Sequence, residues 1–375
     1  MSAPPASGPP PLLFTDLDRA IWEEELADFV PGRVFDVHTH IYRWEHCLHP
    51  EKDCGPYAPL LGGVWREASW ALLDACDAVL LPGRAVERLA FPFPLPQPLD
   101  FAAANAYAAQ QTCRRGASGA LMLVAPAITA DELEHAIDIH GFLGLKPYRT
   151  YAASGDAVHC RITDFLPEHQ LAVADRRGLL VMLHLAPPQG IADDLNLADL
   201  ERLQQTFPRV RWILAHCARS YSAWAIERAA PRLRRLPQLW FDTSSVCESD
   251  AIDALYQAVG CKRVMYGSDD LPVGVLRGKY IAFGHAWAWL SETNHALRLD
   301  HCDPRMTFTR YEQLRAMARA CRRLGQPRED VVDLFHGNAR RLICAVRSES
   351  AAREPLPVER GAAPLGSSTP ESGCG

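Results

Sequence analysis

Short apolar runs recur along the chain, separated by stretches with helical spacing. The runs fall at 34–40, 78–81, 120–124, 142–146, 179–184, 210–216, 239–242 and 263–269. Each is too short for a buried helix and long enough for a buried strand. Between and around them, 14–29, 101–113, 164–177, 197–207, 224–236, 250–259, 311–324 and 331–346 space their apolar residues as amphipathic helices do. Buried strands alternating with helices imply a parallel sheet covered on its faces by helices. Eight such units, over roughly the 250 residues typical of the architecture, predict an α/β fold of the (β/α)8 TIM-barrel type. An open doubly wound sheet fits less well, because no Gly-rich phosphate-binding fingerprint follows a strand.

Two connections break the rhythm. The segments 41–64 and 271–306 are too long for ordinary turns and predict functional loops after strands 1 and 8. Residues 1–12 and 347–375 are rich in Pro, Ala, Ser and Gly and predict disordered tails, leaving 13–346 as one barrel domain.

Composition narrows the function classes. The 375 residues are 48% hydrophobic and 22% charged, which suits a globular chain with a large core. The net charge of -6 leaves no basic footprint for nucleic acid. No apolar run approaches the roughly 20 residues needed to span a bilayer. The N-terminus lacks the basic and apolar regions of a signal peptide. The 12 cysteines include no CxxC pair, which argues against a zinc ribbon. A soluble, cytoplasmic protein with reduced thiols is the expectation.

The chemistry lies where polar residues end the apolar runs. Strand 1 ends in His38 and His40, which alternate onto one face and make half a metal site. Strand 4 ends in Lys146, strand 5 in His184, strand 6 in His216 and strand 8 in Asp269. A lone strand-end histidine is usually a hydrogen-bonded core residue, and a buried lysine is costly without a partner. In a parallel barrel all these ends meet on the face that carries active sites, so the six residues are predicted to converge. Imidazole and carboxylate suit zinc, manganese, iron or nickel.

These residues also carry a resemblance. Phe35-Asp36-Val37-His38-Thr39-His40, Met182-Leu183-His184-Leu185, Trp212-Ile213-Leu214-Ala215-His216-Cys217, Tyr266-Gly267-Ser268-Asp269 and Phe335-His336-Gly337-Asn338-Ala339-Arg340-Arg341-Leu342 together resemble the amidohydrolase superfamily, in its amidohydrolase-related branch. The resemblance spans about residues 33–345. It implies that His38, His40, His184 and Asp269 hold one divalent ion, with zinc expected and manganese the alternative. It implies His216 beside the metal as acid/base, substrate contact or further ligand, and Asp269 as proton acceptor from water. Lys146 is then an unmodified lysine or a substrate contact. Arg43, Tyr148, Arg219 and Arg277 on the flanking loops would suit an anionic small molecule, since Arg forks match carboxylates.

The function so implied is hydrolysis of a lactone, ester or amide by metal-activated water. The alternative is non-oxidative decarboxylation of an aromatic or unsaturated acid. A different class, a non-catalytic binding barrel, is disfavoured because every expected ligand type is present. A homodimer is the expected assembly.

Overall fold

Burial along the first strand runs unbroken from Val34 to His40, as expected of a strand covered on both faces. The computed structural model describes residues 12–49, 61, 63–291 and 298–351. Both predicted tails lie largely outside the described residues, as does the middle of the 41–64 loop. The barrel strands are β1 (Arg33–His40), β2 (Ala85–Phe91), β3 (Gly119–Val124), β4 (Gly144–Pro147), β5 (Leu180–Leu183), β6 (Arg211–Leu214), β7 (Leu239–Asp242) and β8 (Val264–Met265). They lie in chain order in one sheet, every adjacent pair parallel. The ends of the sheet meet: Thr39 bridges Asp270 in parallel, Val37 N–H donates to Tyr266 O at 3.0 Å, and Asp269 N–H donates to His38 O at 2.9 Å. The protein is therefore a (β/α)8 TIM barrel, and the C-terminal ends of β1 and β8 are side by side.

Inward residues of β1, β2, β3, β5, β6 and β8 fill the barrel: Phe35, Leu89, Phe91, Leu121, Met182, Ile213 and Met265. Ala339, Leu342, Ile343 and Val346 of the last helix, Asn338–Ala351, pack onto the same cluster. That helix runs past the expected end at 346. Each wholly buried side chain of this size contributes about 1.5–3 kcal/mol. Among the described residues no helix is long and apolar enough to cross a membrane.

Two expectations are corrected. The run 78–81 is not the second strand; it closes a helix, Trp70–Leu80. Ser69 caps that helix by accepting from Leu72 N–H, and Trp70, Leu73, Cys76, Asp77 and Leu80 form its buried face. The true β2 contains Glu87 and Arg88 and so did not read as apolar. Arg88 can be buried because Asp74 (2.8 Å) and Asp77, both on the preceding helix, pair with it.

The second correction concerns the loop after β8. It contains an antiparallel hairpin, β9 (Gly278–Phe283) with β10 (Ala286–Ser291), joined through Gly284 at φ +59°. Its alternating Tyr280, Ala282, Trp287 and Trp289 have the aromatic and small residues of strands, where the sequence reading expects a loop. The hairpin packs over the barrel mouth, with Trp287 4.3 Å and Tyr280 4.8 Å (ring centroids) from Tyr221.

Candidate metal centre

The strand ends deliver the predicted residues to one place. A bulge in β1, between Asp36 and Thr39, adds one residue relative to β2 at His38. His38 and His40 still face the same way, their ring centroids 5.4 Å apart. Gly267 lets β8 approach: a Cβ there would lie 2.7 Å from His38 Cβ. Asp269 follows at φ +64° and aims its carboxylate between the two rings. Its Oδ1 is 3.3 Å from His38 Nε2 and 3.2 Å from His40 Nε2, while Oδ2 accepts from the Ser245 hydroxyl at 2.7 Å.

His216 reaches the same point by an unusual backbone. Residues His216, Cys217, Ala218 and Arg219 have φ of 56°, 50°, 60° and 57°, a left-handed turn made of L-residues. Each costs about 1–2 kcal/mol there. The turn is held by Ser220 N–H donating to His216 O (3.0 Å), by His216 N–H donating to Asp242 Oδ1 (3.0 Å), and by Arg219, whose Nη1 donates to Ala186 O and Pro187 O. Gly190 underlies it, since a Cβ there would sit 2.5 Å from Arg219 O, at φ +55°. Gly190→Ala is therefore expected to destabilise the protein by at least about 1–2 kcal/mol and to loosen His216. Thermal melts with and without added zinc check this; unchanged melting would mean the turn tolerates a side chain.

His38, His216 and Asp269 offer ligand atoms that all lie within 4.8 Å of one another, and all three are buried. His40 adjoins them through Asp269. His184 is half-buried and adjoins them through His216, ring centroids 5.1 Å apart. The tightest group thus contains His216 in the place where the sequence pointed to His40 and His184. Lys146 is wholly buried on β4, its Nζ 4.3 Å from the Tyr148 ring centroid and 5.2 Å from that of Phe91. Among the described residues neither Lys146 Nζ nor Tyr148 OH has a hydrogen-bond partner.

The electrostatics suit a cation. Burial pushes the His40 imidazole down to about 4, against the pull of Asp269, so it is neutral and can donate a lone pair at physiological pH. Burial likewise lowers His216. Loss of solvent, then His216, Arg149, Arg219 and Lys146, lower His184 well below its usual range. Burial alone would favour protonation of Asp269, but the His40 hydrogen bond and the attraction of the His216, His38 and His40 rings outweigh it and keep the carboxylate ionised. Burial lowers Lys146 to about 8, with Asp242 and Asp269 pulling upward. Buried imidazoles around an ionised carboxylate, one ring nitrogen (His40 Nδ1) without a partner among the described residues, make a donor set that fits a divalent ion.

Two expected substrate contacts are placed elsewhere. Arg277 pairs with the wholly buried Asp18 at 2.8 Å and donates to Leu13 O and Met306 O, pinning the N-terminal helix rather than facing the metal residues. Arg43 pairs with Glu67 at 3.1 Å and lies over Tyr107. Each lies close in sequence to a site residue but found a nearer carboxylate. Arg219 and Tyr148 remain at the mouth: Arg219 lines a cavity of about 440 Å3 with Trp224, His285 and Trp287. Asp242 and Ser245 were not singled out from the sequence. Asp242 had a signal, since it ends an apolar run as Asp269 does.

Comparison with known proteins bears on the family and the fold. A family model described as Amidohydrolase matches residues 36–343. No curated protein gives a match. Among solved structures, an amidohydrolase from Burkholderia multivorans with bound HEPES is similar at 15% identity and TM-score 0.55, covering 83% of this chain and 99% of that one. A 5-carboxyvanillate decarboxylase from Novosphingobium aromaticivorans, complexed with manganese and 4-hydroxy-3-methoxy-5-nitrobenzoic acid, is similar at 12% identity and TM-score 0.52, covering 84% and 98%. A probable 2-pyrone-4,6-dicarboxylic acid hydrolase from Acinetobacter baumannii with bound citric acid is similar at 15% identity and TM-score 0.51, covering 83% and 99%. At these identities the structures speak for the fold, and the family rests on the sequence model. From its first metal-site strand to its last helix, the chain belongs to the amidohydrolase family.

Proposed function

We propose that the chain is a metal-dependent hydrolase acting at the carbonyl carbon of a small anionic lactone, ester or amide. The observation that carries this is a buried His/Asp cluster beside a buried ammonium, Lys146, with no hydrogen-bond partner among the described residues. When bound, a divalent ion supplies Lewis-acid polarisation of a substrate oxygen and activation of water. His38, His40, His216 and Asp269 would hold it, with His184 completing the shell; zinc is the expected ion. His216 donates from Nδ1 to Ser244 O (3.0 Å), which leaves its Nε2 lone pair facing the site as ligand or base. Asp269, ionised, accepts the proton lost by the attacking water. Lys146, Tyr148 and Arg219 receive the substrate's anionic group. A cytoplasmic homodimer is the proposed form.

A second reading, loss of CO2 from an aromatic or unsaturated acid, is favoured by one observation. Phe91, Phe93 and Tyr221 lie against the metal-site histidines, and Trp287 packs on Tyr221, so rings wall the site. Product analysis separates the two: the zinc-loaded protein incubated with candidate lactones should yield ring-opened acids. CO2 release from aromatic acids, with no hydrolysis, would overturn the first reading. Protein carrying no stoichiometric metal, and gaining no activity on adding it, would overturn both and favour a binding barrel.

Lys146→Met tests the substrate-facing half. Removal of a buried ammonium with no hydrogen-bond partner among the described residues is expected to raise stability by about 1–3 kcal/mol while raising KM for the anionic substrate. In the wild type the same KM should rise as pH passes about 8, where Lys146 loses its charge. A Lys146→Met protein that is less stable and kinetically normal would remove Lys146 from the site.

A further inference from the structure

Behind the candidate metal residues lies one carboxylate that serves two of them. Asp242, at the end of β7, is wholly buried. Its Oδ2 lies 3.0 Å from His38 Nδ1. Its Oδ1 accepts from His216 N–H (3.0 Å), from Ser244 N–H (3.0 Å) and from the Ser244 hydroxyl. The Ser244 oxygen is in turn 3.2 Å from His38 Nδ1 and 3.0 Å from His216 Nδ1. Histidines separated by the whole span from β1 to β6 are therefore braced by one Asp-Ser pair on β7.

We propose that Asp242 is the positioning residue of this metal centre: it fixes the His38 tautomer and anchors the strained backbone of His216, so that both Nε2 atoms face the ion. The inference rests on the metal-site reading above. With Nδ1 held by Asp242, the ring atom that His38 turns toward Asp269 is Nε2, 3.3 Å from Oδ1, and it is the atom available to an ion bound there. The same carboxylate holds the amide of His216, the first residue of the left-handed turn, where the backbone would otherwise relax.

Asp242→Asn keeps the shape and reverses the logic. If its amide nitrogen turns to His38 it donates, so Nδ1 must accept and the proton moves to Nε2, the atom needed for the metal. If it turns to His216 it meets a backbone N–H donor instead. Zn2+ affinity, read by chelator competition on the 375-residue chain, is expected to fall about 10–100-fold. Ser244→Ala, which keeps the Asp242 contacts to both histidines, should lose less. Histidine 15N spectra of the zinc-loaded wild type should show His38 bound through Nε2, with its proton on Nδ1.

Zn2+ affinity of Asp242→Asn within about twofold of wild type, against the 10–100-fold expected, would overturn the proposal while leaving the metal site intact. His38 bound to zinc through Nδ1 in the wild type would do the same, and decides the matter if circular dichroism shows that Asp242→Asn does not fold. A wild type that binds no Zn2+ would sink this inference and the metal-dependent function together.

Discussion

Asp269→Asn is expected to cost about 10²–10⁴-fold in kcat/KM and to weaken zinc binding, with little change in overall folding. Asp269 is where both lines of contact cross, its Oδ1 within 3.3 Å of His38 Nε2 and its Oδ2 held by Ser245. The amide is isosteric, so Ser245 and the backbone bonds from Gly274 and to His38 can persist. What is lost is the negative charge that balances a cation among buried imidazoles, and the only ionised proton acceptor in contact with His38 and His40 among the described residues. Metal content, chelator competition and steady-state rates on the same preparation check this. A variant with normal metal content and rate would move the site away from β8.

The largest stability effect is expected at Arg310. Its side chain is wholly buried beneath the metal site, donating to Asp77 (2.6 Å), Asp270 (2.8 Å) and the Tyr266 hydroxyl (2.6 Å). Arg88 shares Asp77, so Arg310 is the cation on which Asp270 depends. Arg310→Met leaves these carboxylates buried with too little positive charge, and removing one member of such a cluster costs about 3–5 kcal/mol.

The deficit should depend on pH, and the sign follows from Asp270. Burial already raises its carboxyl to about 7 with Arg310 in place, above the ordinary 3.8. A folded-state value above the unfolded one destabilises only where the group must ionise, so the cost is absent below about 3.8 and complete above about 7. Losing Arg310 pushes Asp270 higher, and urea midpoints of the variant should fall further behind wild type at pH 8 than at pH 5. Asp270→Asn added to Arg310→Met should recover part of the loss, because the two residues are in contact. A single variant that loses under about 1 kcal/mol would sit among ordinary surface changes and would show that the cluster is not held by Arg310.

Much of this molecule was legible locally. Seven of the eight barrel strands lie on or within the apolar runs read from the sequence, because a strand buried on both faces needs an almost unbroken apolar stretch. The missed strand, β2, fails that test for a physical reason. Arg88 is buried on it through carboxylates that sit on another element, and no local pattern shows a charge neutralised at a distance. The hairpin β9–β10 is hidden differently, since its alternation lies inside a long segment that the sequence reading takes for a loop.

The site divides along the same line. The sequence alone determined which residues stand at strand ends, and with them the donor chemistry of His38, His40, His184, His216, Lys146 and Asp269. Only the tertiary structure decided which of them meet. His40 and Asp269, 229 positions apart, are in contact because the barrel closes between β1 and β8. Arg277 and Asp18, 259 positions apart, are paired for the same kind of reason, which takes Arg277 from the role its neighbours suggested. Asp242 shows the limit most clearly. An aspartate after an apolar run reads the same whether it binds metal, caps a turn or braces two histidines, since periodicity records which face a side chain takes and not which distant group it will find there.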